Sequence, residues 1–427
     1  MTALLILCPL LHASALRLPY TTRTLDNGLQ VIVHEDHRAP LFAAELRYRV
    51  GAAGDPIPGL AHLVEHLMFE GSASAPQGAY DRWLAAAGAS NNAWTSHDTT
   101  AFTVVGPAEA LELALFLEGD RMGWLTLDEE DLINQLAVVF SERELSLSAV
   151  GGWETPSVSA ALYPAGHPYR RTVLGEPEPL SEVTIAQLAD FVSRWYQPAN
   201  AVLVVGGAVS AEAVFALAEQ HLGIVPATSP PAQPAAAPVS LGSERRRVLY
   251  DEVAPTLEVV WPTVPRGHAD EAALDMLSGI LHNRLSARGR VWTENRRLSG
   301  RLVAELTHPR GGLWRLRRRL DREVASLKST PVSVAELARV QARWRTSYVR
   351  GAEGLEERVS LLAGCALDVS EPDCIGQILS ERDAVSPEEV QAAAQAYLGD
   401  GRLLLSEVPL RQRRWALRGS AEVVMPW

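Results

Sequence analysis

The sequence predicts a chain of two similar domains, each mixing helices with strands, joined by an extended strap. Three observations predict this. At 427 residues the chain is too long for one ordinary core. A helix–turn–strand pattern at 180–207, with Tyr196 near the end of its helix, recurs at 384–408 with Tyr397 in the same place. Between the two copies, residues 226–238 read PATSPPAQPAAAP, a composition typical of an extended linker. The expected division is a first domain over 16–225, a linker over 226–243 and a second domain over 244–427, with residues 1–15 set apart.

Those first residues form an apolar run that ends in Ala13-Ser14-Ala15, the small-residue pattern of a signal-peptide cleavage site, although no basic segment precedes it. The reading is an exported chain, periplasmic or secreted, with a cytoplasmic chain as the alternative. The run is too short to span a bilayer, and no later segment reads as a transmembrane helix. Removing it takes Cys8 away and leaves Cys365 and Cys374. That pair suits a single disulfide in an oxidising compartment, and two buried free thiols fit equally well. The net charge of -12 excludes a phosphate-neutralising surface, and with it nucleic acid as a partner.

Taken in order, residues 25–36 give an Asn-Gly turn and then an alternating β-branched run, a hairpin signal. A second strand, 41–50, leads into Gly51 and Gly54. The stretch Pro58-Gly-Leu-Ala-His62-Leu-Val-Glu65-His66-Leu-Met-Phe69 follows, with Leu60, Leu63, Val64, Leu67 and Met68 at helical spacing. Residues four apart share a helix face, so His62 and His66 present two imidazoles to one point, as a zinc ion requires of its first two ligands. Glu65 stands on the same side one turn along, placed to act on a water at the ion rather than to bind the ion. His-x-x-Glu-His is the inverted order of a known zinc-peptidase motif. Two ordinary surface histidines are the plain alternative, but the apolar frame of the helix turns them inward.

Tyr80–Ala87 reads as another helix, closed by Gly88. Residues 88–105 then alternate like one strand with a polar, Asn-rich start. Such a start suits an edge beside the metal, where an extended peptide adds by backbone pairing. His97 in this stretch reads as structural. Helices follow at 107–122 and 127–148. In the second of them Leu132, Gln135, Val138, Val139 and Glu142 fall on one face, and Glu144 falls on the far side. An ionisable group on an apolar stripe is costly unless it is paired or bound to metal, which makes Glu142 the expected third ligand. The second half lacks the histidine motif. It carries Arg284, Arg288, Arg290, Arg296, Arg297 and Arg301, and then a basic run at 315–319. These read as a solvated helix face, or as a positive surface for the acidic first half or an acidic partner.

Together these residues resemble the M16 family of zinc metallopeptidases, the pitrilysin and mitochondrial-processing-peptidase group. The resemblance is carried by the His62–His66 motif, Asn92-Ala93 with Thr95 and Asp98, Asp120-Arg121-Met122, and Glu142. His167-Pro168-Tyr169, and Tyr196, Pro198 and Asn200 ahead of a strand, complete it. The distance from His66 to Glu142 is that of the family's third ligand. The resemblance implies an α+β fold of two homologous domains, each an antiparallel sheet flanked by helices, closing like a clamshell around unfolded peptides. It implies a zinc endopeptidase in which His62, His66 and Glu142 hold the metal and Glu65 is the general base. It also implies that the peptide substrate pairs with the edge at Asn92 and Ala93.

Two positions depart from the family pattern. Gln135 stands where the family often has a glutamate one heptad before the third ligand, which weakens the tuning of the metal site. The family's second domain also supplies an arginine and a tyrosine seven residues apart that hold the substrate carbonyl, yet no tyrosine lies between Tyr250 and Tyr348. The expectation is therefore a heterodimer with a second M16-like subunit that supplies the Arg/Tyr pair. Arginines of 284–301 acting within this chain, or in a homodimer, are the alternative. A non-catalytic scaffold or processing partner is the rival function, and retention of all four metal and base residues speaks against it.

Overall fold

The computed structural model describes residues 17–423 apart from 252, 309–311 and 370, so the expected signal segment lies outside the described residues. The Asn27-Gly28 turn, with Gly28 at φ 87°, folds β1 (Thr21–Thr24) back on β2 (Gln30–Glu35). β3 (Leu41–Tyr48), α1 (Leu60–Leu67) and α2 (Ala79–Ala86) follow. The stretch expected as one strand is a hairpin, β4 (Ser90–Thr95) and β5 (Thr100–Pro107). Its bend is made by Ser96, whose Oγ accepts from the backbone N–H of Asp98 and Thr99. A serine competing for nearby backbone N–H groups breaks an alternating pattern in this way.

The first half continues with α3 (Leu111–Trp124), α4 (Glu129–Ser148), α5 (Glu154–Leu162), α6 (Pro177–Ser181), α7 (Ile185–Trp195), β6 (Ala201–Gly207) and α8 (Ala211–His221). Residues 226–241 form no helix or strand. The second half holds β7 (Arg245–Tyr250), β8 (Thr256–Thr263), α9 (Glu271–Leu285), β9 (Gly289–Asn295), β10 (Gly300–Thr307), α10 (Leu313–Ser329) and α11 (Val334–Arg350). It ends with α12 (Leu355–Asp368), α13 (Ile375–Ala384), α14 (Pro387–Tyr397), β11 (Leu403–Val408) and β12 (Ala421–Val423).

Two six-stranded sheets result, in the orders β1-β2-β6-β3-β5-β4 and β12-β7-β11-β8-β10-β9. Both are antiparallel except where a strand returning from a helical crossover is inserted and where β12 joins the edge of the second sheet. β6 runs parallel to β2, and β11 and β12 run parallel to β7. The repeat seen in the sequence is thus a repeat of topology. Tyr196 and Tyr397 play matching parts in it, since each closes the helix before the inserted strand and ties it to the opening of an earlier helix of its half, α1 or α9. The Tyr196 hydroxyl donates to the Ala61 carbonyl at 3.2 Å, and that of Tyr397 to Asp270 at 2.5 Å.

Each sheet packs one face on its own helices. The other face is covered by a helix from the opposite half. α12 lies on β3 and β6, burying Val359, Leu362, Ala363 and Ala366 against Ala43, Val202 and Val204. α5 lies on β7 and β11, burying Val158, Ala161 and Leu162 against Leu249, Leu403 and Leu405. The halves are therefore fastened by reciprocal helices. Tyr169 adds a polar tie, because its hydroxyl donates to Asp98 at 2.7 Å and accepts from the Leu298 N–H at 2.9 Å.

Five of the six arginines at 284–301 are engaged by carboxylates, whereas Arg288 and, in the basic run, Arg315 and Arg318 are exposed as on a solvated face. Arg284 pairs with Glu336, Arg290 with Glu305, and Arg296 and Arg301 with Glu294, while Arg297 reaches Asp98 of the first half. Their carboxylate partners lie on neighbouring elements, out of reach of a reading along the chain. Cys365 and Cys374 are joined in a disulfide that links α12 to the start of α13, so the alternative of two free thiols is not the one adopted.

One buried ion pair anchors the first core. Arg121 and Glu118 are each 2% exposed, and the guanidinium sits among the rings of Phe69, Tyr80 and Phe102. Arg121→Ala strands the Glu118 charge with only the Tyr80 hydroxyl to answer it. The expected cost is about 3–5 kcal/mol, read from the denaturant midpoint.

Candidate metal centre

The centre is built on α1, a short helix whose start is unusually constrained. Gly59 enters it at φ 96° and lies against Gly175, itself at φ 70°. A Cβ on Gly175 would come within 2.2 Å of the Pro58 carbonyl, so only glycine lets the two segments meet. The open amides at the helix start are met from outside it. Asp55 accepts from the N–H of Gly59 and of Ala61, both at 3.0 Å. Burial pushes Asp55 up to about 7 against the pull of these amides.

From this helix His62 and His66 project side by side, ring centroids 4.8 Å apart. Glu142 on α4 meets them. Its Oε2 lies 3.6 Å from His62 Nε2 and 3.4 Å from His66 Nε2. Burial, with the neighbouring His66 adding to it, pushes His62 down to about 4. At neutral pH it is therefore uncharged, and its contact with Glu142 is not an ion pair. Two imidazole nitrogens and a carboxylate oxygen thus converge on one point. Tetrahedral ligands held about 2.0–2.1 Å from a zinc ion stand roughly 3.4 Å from one another, and the donor set, two imidazoles and one carboxylate, is one that zinc takes. The residues present fit that ion.

Glu142 does not reach this place for the reason expected from its helix stripe. Val138 is 46% exposed and the Glu142 side chain is half exposed, so α4 buries chiefly Leu132 and Val139. The stripe reading fails because the last turns of α4 extend past the core, where no apolar partner enforces a face. Proximity to α1, not burial, singles out Glu142. Glu144 is exposed and does not join the group.

Around these three stand supporting groups. Glu65 accepts from Thr95 Oγ1 at 2.5 Å, which fixes its carboxylate beside the histidines. Burial raises Glu65 above the usual carboxylate range, while the bond from Thr95 and the nearby His66 pull it back. Gln135 Oε1 lies 3.2 Å from His66 Nδ1, and Gln135 Nε2 donates to Glu70. With the Gln135 carbonyl accepting from Nδ1–H, the Nε2 lone pair of His66 is turned toward Glu142. Thr95 stood out in the sequence as a motif residue but without a role. Glu70 gave no signal there because its partner Gln135 lies on a distant helix, and Asp55 gave none because it meets backbone amides, which leave no mark in the residue pattern.

Asn92 and Ala93 lie on β4, the edge strand of its sheet, which among the described residues pairs with β5 alone and lies next to α1. Asn92 Oδ1 accepts from the Ala93 N–H at 2.9 Å. His97 is structural, its Nε2 bonded to the Arg171 carbonyl at 2.9 Å. A cavity of about 990 Å³ lies elsewhere, among α9, α12, α13 and α14, and none of His62, Glu65, His66 or Glu142 lines it. Among the described residues no helix is long and apolar enough to cross a membrane.

Comparison with known proteins agrees with this architecture. Residues 30–149 match the family model "Insulinase (Peptidase family M16)", and residues 182–311 match "Peptidase M16 inactive domain". The chain is 28% identical over 289 residues to the zinc protease PqqE of Helicobacter pylori, covering 64% of this chain and 63% of that protein. It is 26% identical over 263 residues to human cytochrome b-c1 complex subunit 1, covering 60% and 54%. The chain thus spans less than two thirds of the length of these curated relatives. Among solved structures, the first half of the periplasmic protease PqqL from Escherichia coli superposes with TM-score 0.79 at 19% identity, covering 96% of this chain and all of that one. The whole of PqqL gives TM-score 0.80 at 19% identity and covers 97% of this chain but only 52% of its own length. Two M16 models that together take in more than half the chain, on a fold of two homologous α+β domains, place it plainly: the chain belongs to the M16 family of peptidases.

Proposed function

We propose that this chain is the metal-bearing half of a zinc-dependent endopeptidase acting on unfolded peptides. In this reading residues 16–225 form the metal-binding domain, 226–243 the linker and 244–427 the companion domain. The observation that carries it is the meeting of His62, His66 and Glu142, with Glu65 gripped beside them, along the edge strand β4. Zinc, held by those three, would supply a Lewis acid that polarises the scissile carbonyl and acidifies water. Glu65 takes the proton from the attacking water and passes it to the leaving amine. The β4 edge at Asn92 and Ala93 aligns an extended substrate by backbone pairing, so that the carbonyl is presented beside Glu65. The Cys365–Cys374 disulfide supports an exported, periplasmic or secreted location.

Zinc content tests this directly. His62→Ala, His66→Ala and Glu142→Ala each remove a ligand, and the purified variants should retain little zinc by elemental analysis, whereas Glu144→Ala should keep one ion per chain. Stoichiometric zinc in Glu142→Ala, with loss in Glu144→Ala, would reverse the assignment of the third ligand. Gln135 is expected to act one step further out. Gln135→Leu removes the acceptor at His66 Nδ1, and zinc affinity should fall about 10–100-fold in a chelator competition.

A further inference from the structure

A second group of carboxylates lies where the halves meet. Glu154 on α5, Glu258 on β8 and Glu407 on β11 each offer an oxygen, and these oxygens all lie within 4.8 Å of one another. Glu258 is 2% exposed and Glu407 is 4% exposed. Glu258 Oε2 is fully buried and has no hydrogen-bond partner. Glu154 and Glu258 can bond each other only by sharing a proton. The cations nearby are already engaged, Arg301 with Glu294 at 2.8 and 2.9 Å and Arg290 with Glu305 at 2.9 Å. A buried charge left without a partner costs several kcal/mol or more, so this cluster needs positive charge from somewhere.

The first half shows how the fold otherwise solves the same problem. Glu45 on β3 stands opposite Val204, eight residues after Tyr196, and Glu258 on β8 stands opposite Leu405, eight residues after Tyr397. The two glutamates are therefore equivalent, each buried on the sheet face covered by the other half's helix. In the first sheet Arg47, two residues on, pairs with Glu45 and is itself held by Ser360 of α12. In the second sheet the residue two positions on is the buried Val260. The arginine is missing, and two further carboxylates converge in its stead.

We propose that Glu154, Glu258 and Glu407 form a binding site for a hard divalent cation of the Ca²⁺ type, which fastens α5 of the first half onto the sheet of the second. The donors are all carboxylate oxygens, the set such cations take, and softer metals that prefer nitrogen or sulfur are disfavoured. A divalent ion offsets most of the three negative charges, and the field of Arg301 contributes the rest. Without the ion the cluster must hold protons. Burial together with mutual repulsion raises all three carboxyls, Glu407 to about 8. Asp251 and Glu305 add to that repulsion. The site is separate from the histidine centre and does not depend on the peptidase reading.

The test uses the full chain carrying His66→Ala, so that the histidine centre does not compete, stripped with chelator and then titrated with Ca²⁺. One Ca²⁺ per chain should bind by calorimetry, and Tm should rise with Ca²⁺ concentration in the saturating manner of a ligand that binds only the folded state. Adding Glu258→Gln removes an anionic ligand and leaves a neutral side chain of the same shape, as the protonated carboxyl is in the ion-free cluster. That chain should match or exceed its parent's Tm in chelator, yet bind Ca²⁺ about tenfold or more weakly. Glu407→Gln should behave alike. The proposal fails if the parent shows neither bound Ca²⁺ nor a Tm response. It fails equally if Glu258→Gln binds as the parent does, or if only acidification stabilises the parent, which would mark a cluster that holds protons alone.

Discussion

Glu65→Gln should keep its zinc and lose its hydrolysis. Glutamine has the shape of glutamate, and its carbonyl can still accept from Thr95 Oγ1, so the local fold around α1 and β4 stays as it is. What disappears is a carboxylate able to take a proton. Positioned acid–base groups contribute about 10²–10⁴ in rate, and kcat should fall by that factor with little change in KM. The comparison with His62→Ala separates two ways of being inactive, since His62→Ala fails because the metal is gone. Elemental analysis beside a fluorogenic unfolded-peptide assay distinguishes them. Glu65→Gln with full turnover would remove Glu65 from the chemistry, and Glu65→Gln without zinc would make it a ligand.

Much of this centre could be read from the sequence because its core is local. His62, Glu65 and His66 lie within one helical turn and a half, where spacing alone fixes the face. The repeat around Tyr196 and Tyr397 was visible for a similar reason, since a helix, a turn and a strand occupy one contiguous stretch. Contacts made across the fold were not. Nothing in the pattern of 154–162 says that α5 will leave its own sheet and lie on β7 and β11, nor that α12 will return the exchange. The partner face of each helix is set by topology, which a local pattern does not carry. The same holds for Glu154, Glu258 and Glu407, which come from three elements and share no spacing. Residues 88–105 misled in the other direction. Their alternation is real on both sides of Ser96, but a four-residue turn preserves the rhythm while reversing the strand.

The largest effect expected beyond Glu65 comes from a partner. The reciprocal packing of α5 and α12 fastens the two halves of this chain together. The expectation is that another body completes the chamber over the β4 edge. Among the described residues of the second half, five of the six arginines of 284–301 and two of the tyrosines are already engaged. Arg284, Arg290, Arg296, Arg297 and Arg301 are engaged by carboxylates, Tyr397 is bonded to Asp270, and Tyr348 is stacked on Trp344. Losing one donor to the substrate carbonyl typically costs about 10²–10³ in rate. The zinc-loaded chain alone should therefore hydrolyse unfolded peptides slowly. Addition of a second M16-like chain that lacks His-x-x-Glu-His but carries the arginine and tyrosine should raise kcat by about 10²–10³. Substituting that partner's tyrosine by phenylalanine should return most of the gain while leaving the complex intact by gel filtration. Full turnover by this chain as a monomer would show that it needs no partner, and full turnover only as a homodimer would transfer the missing donors to a second copy.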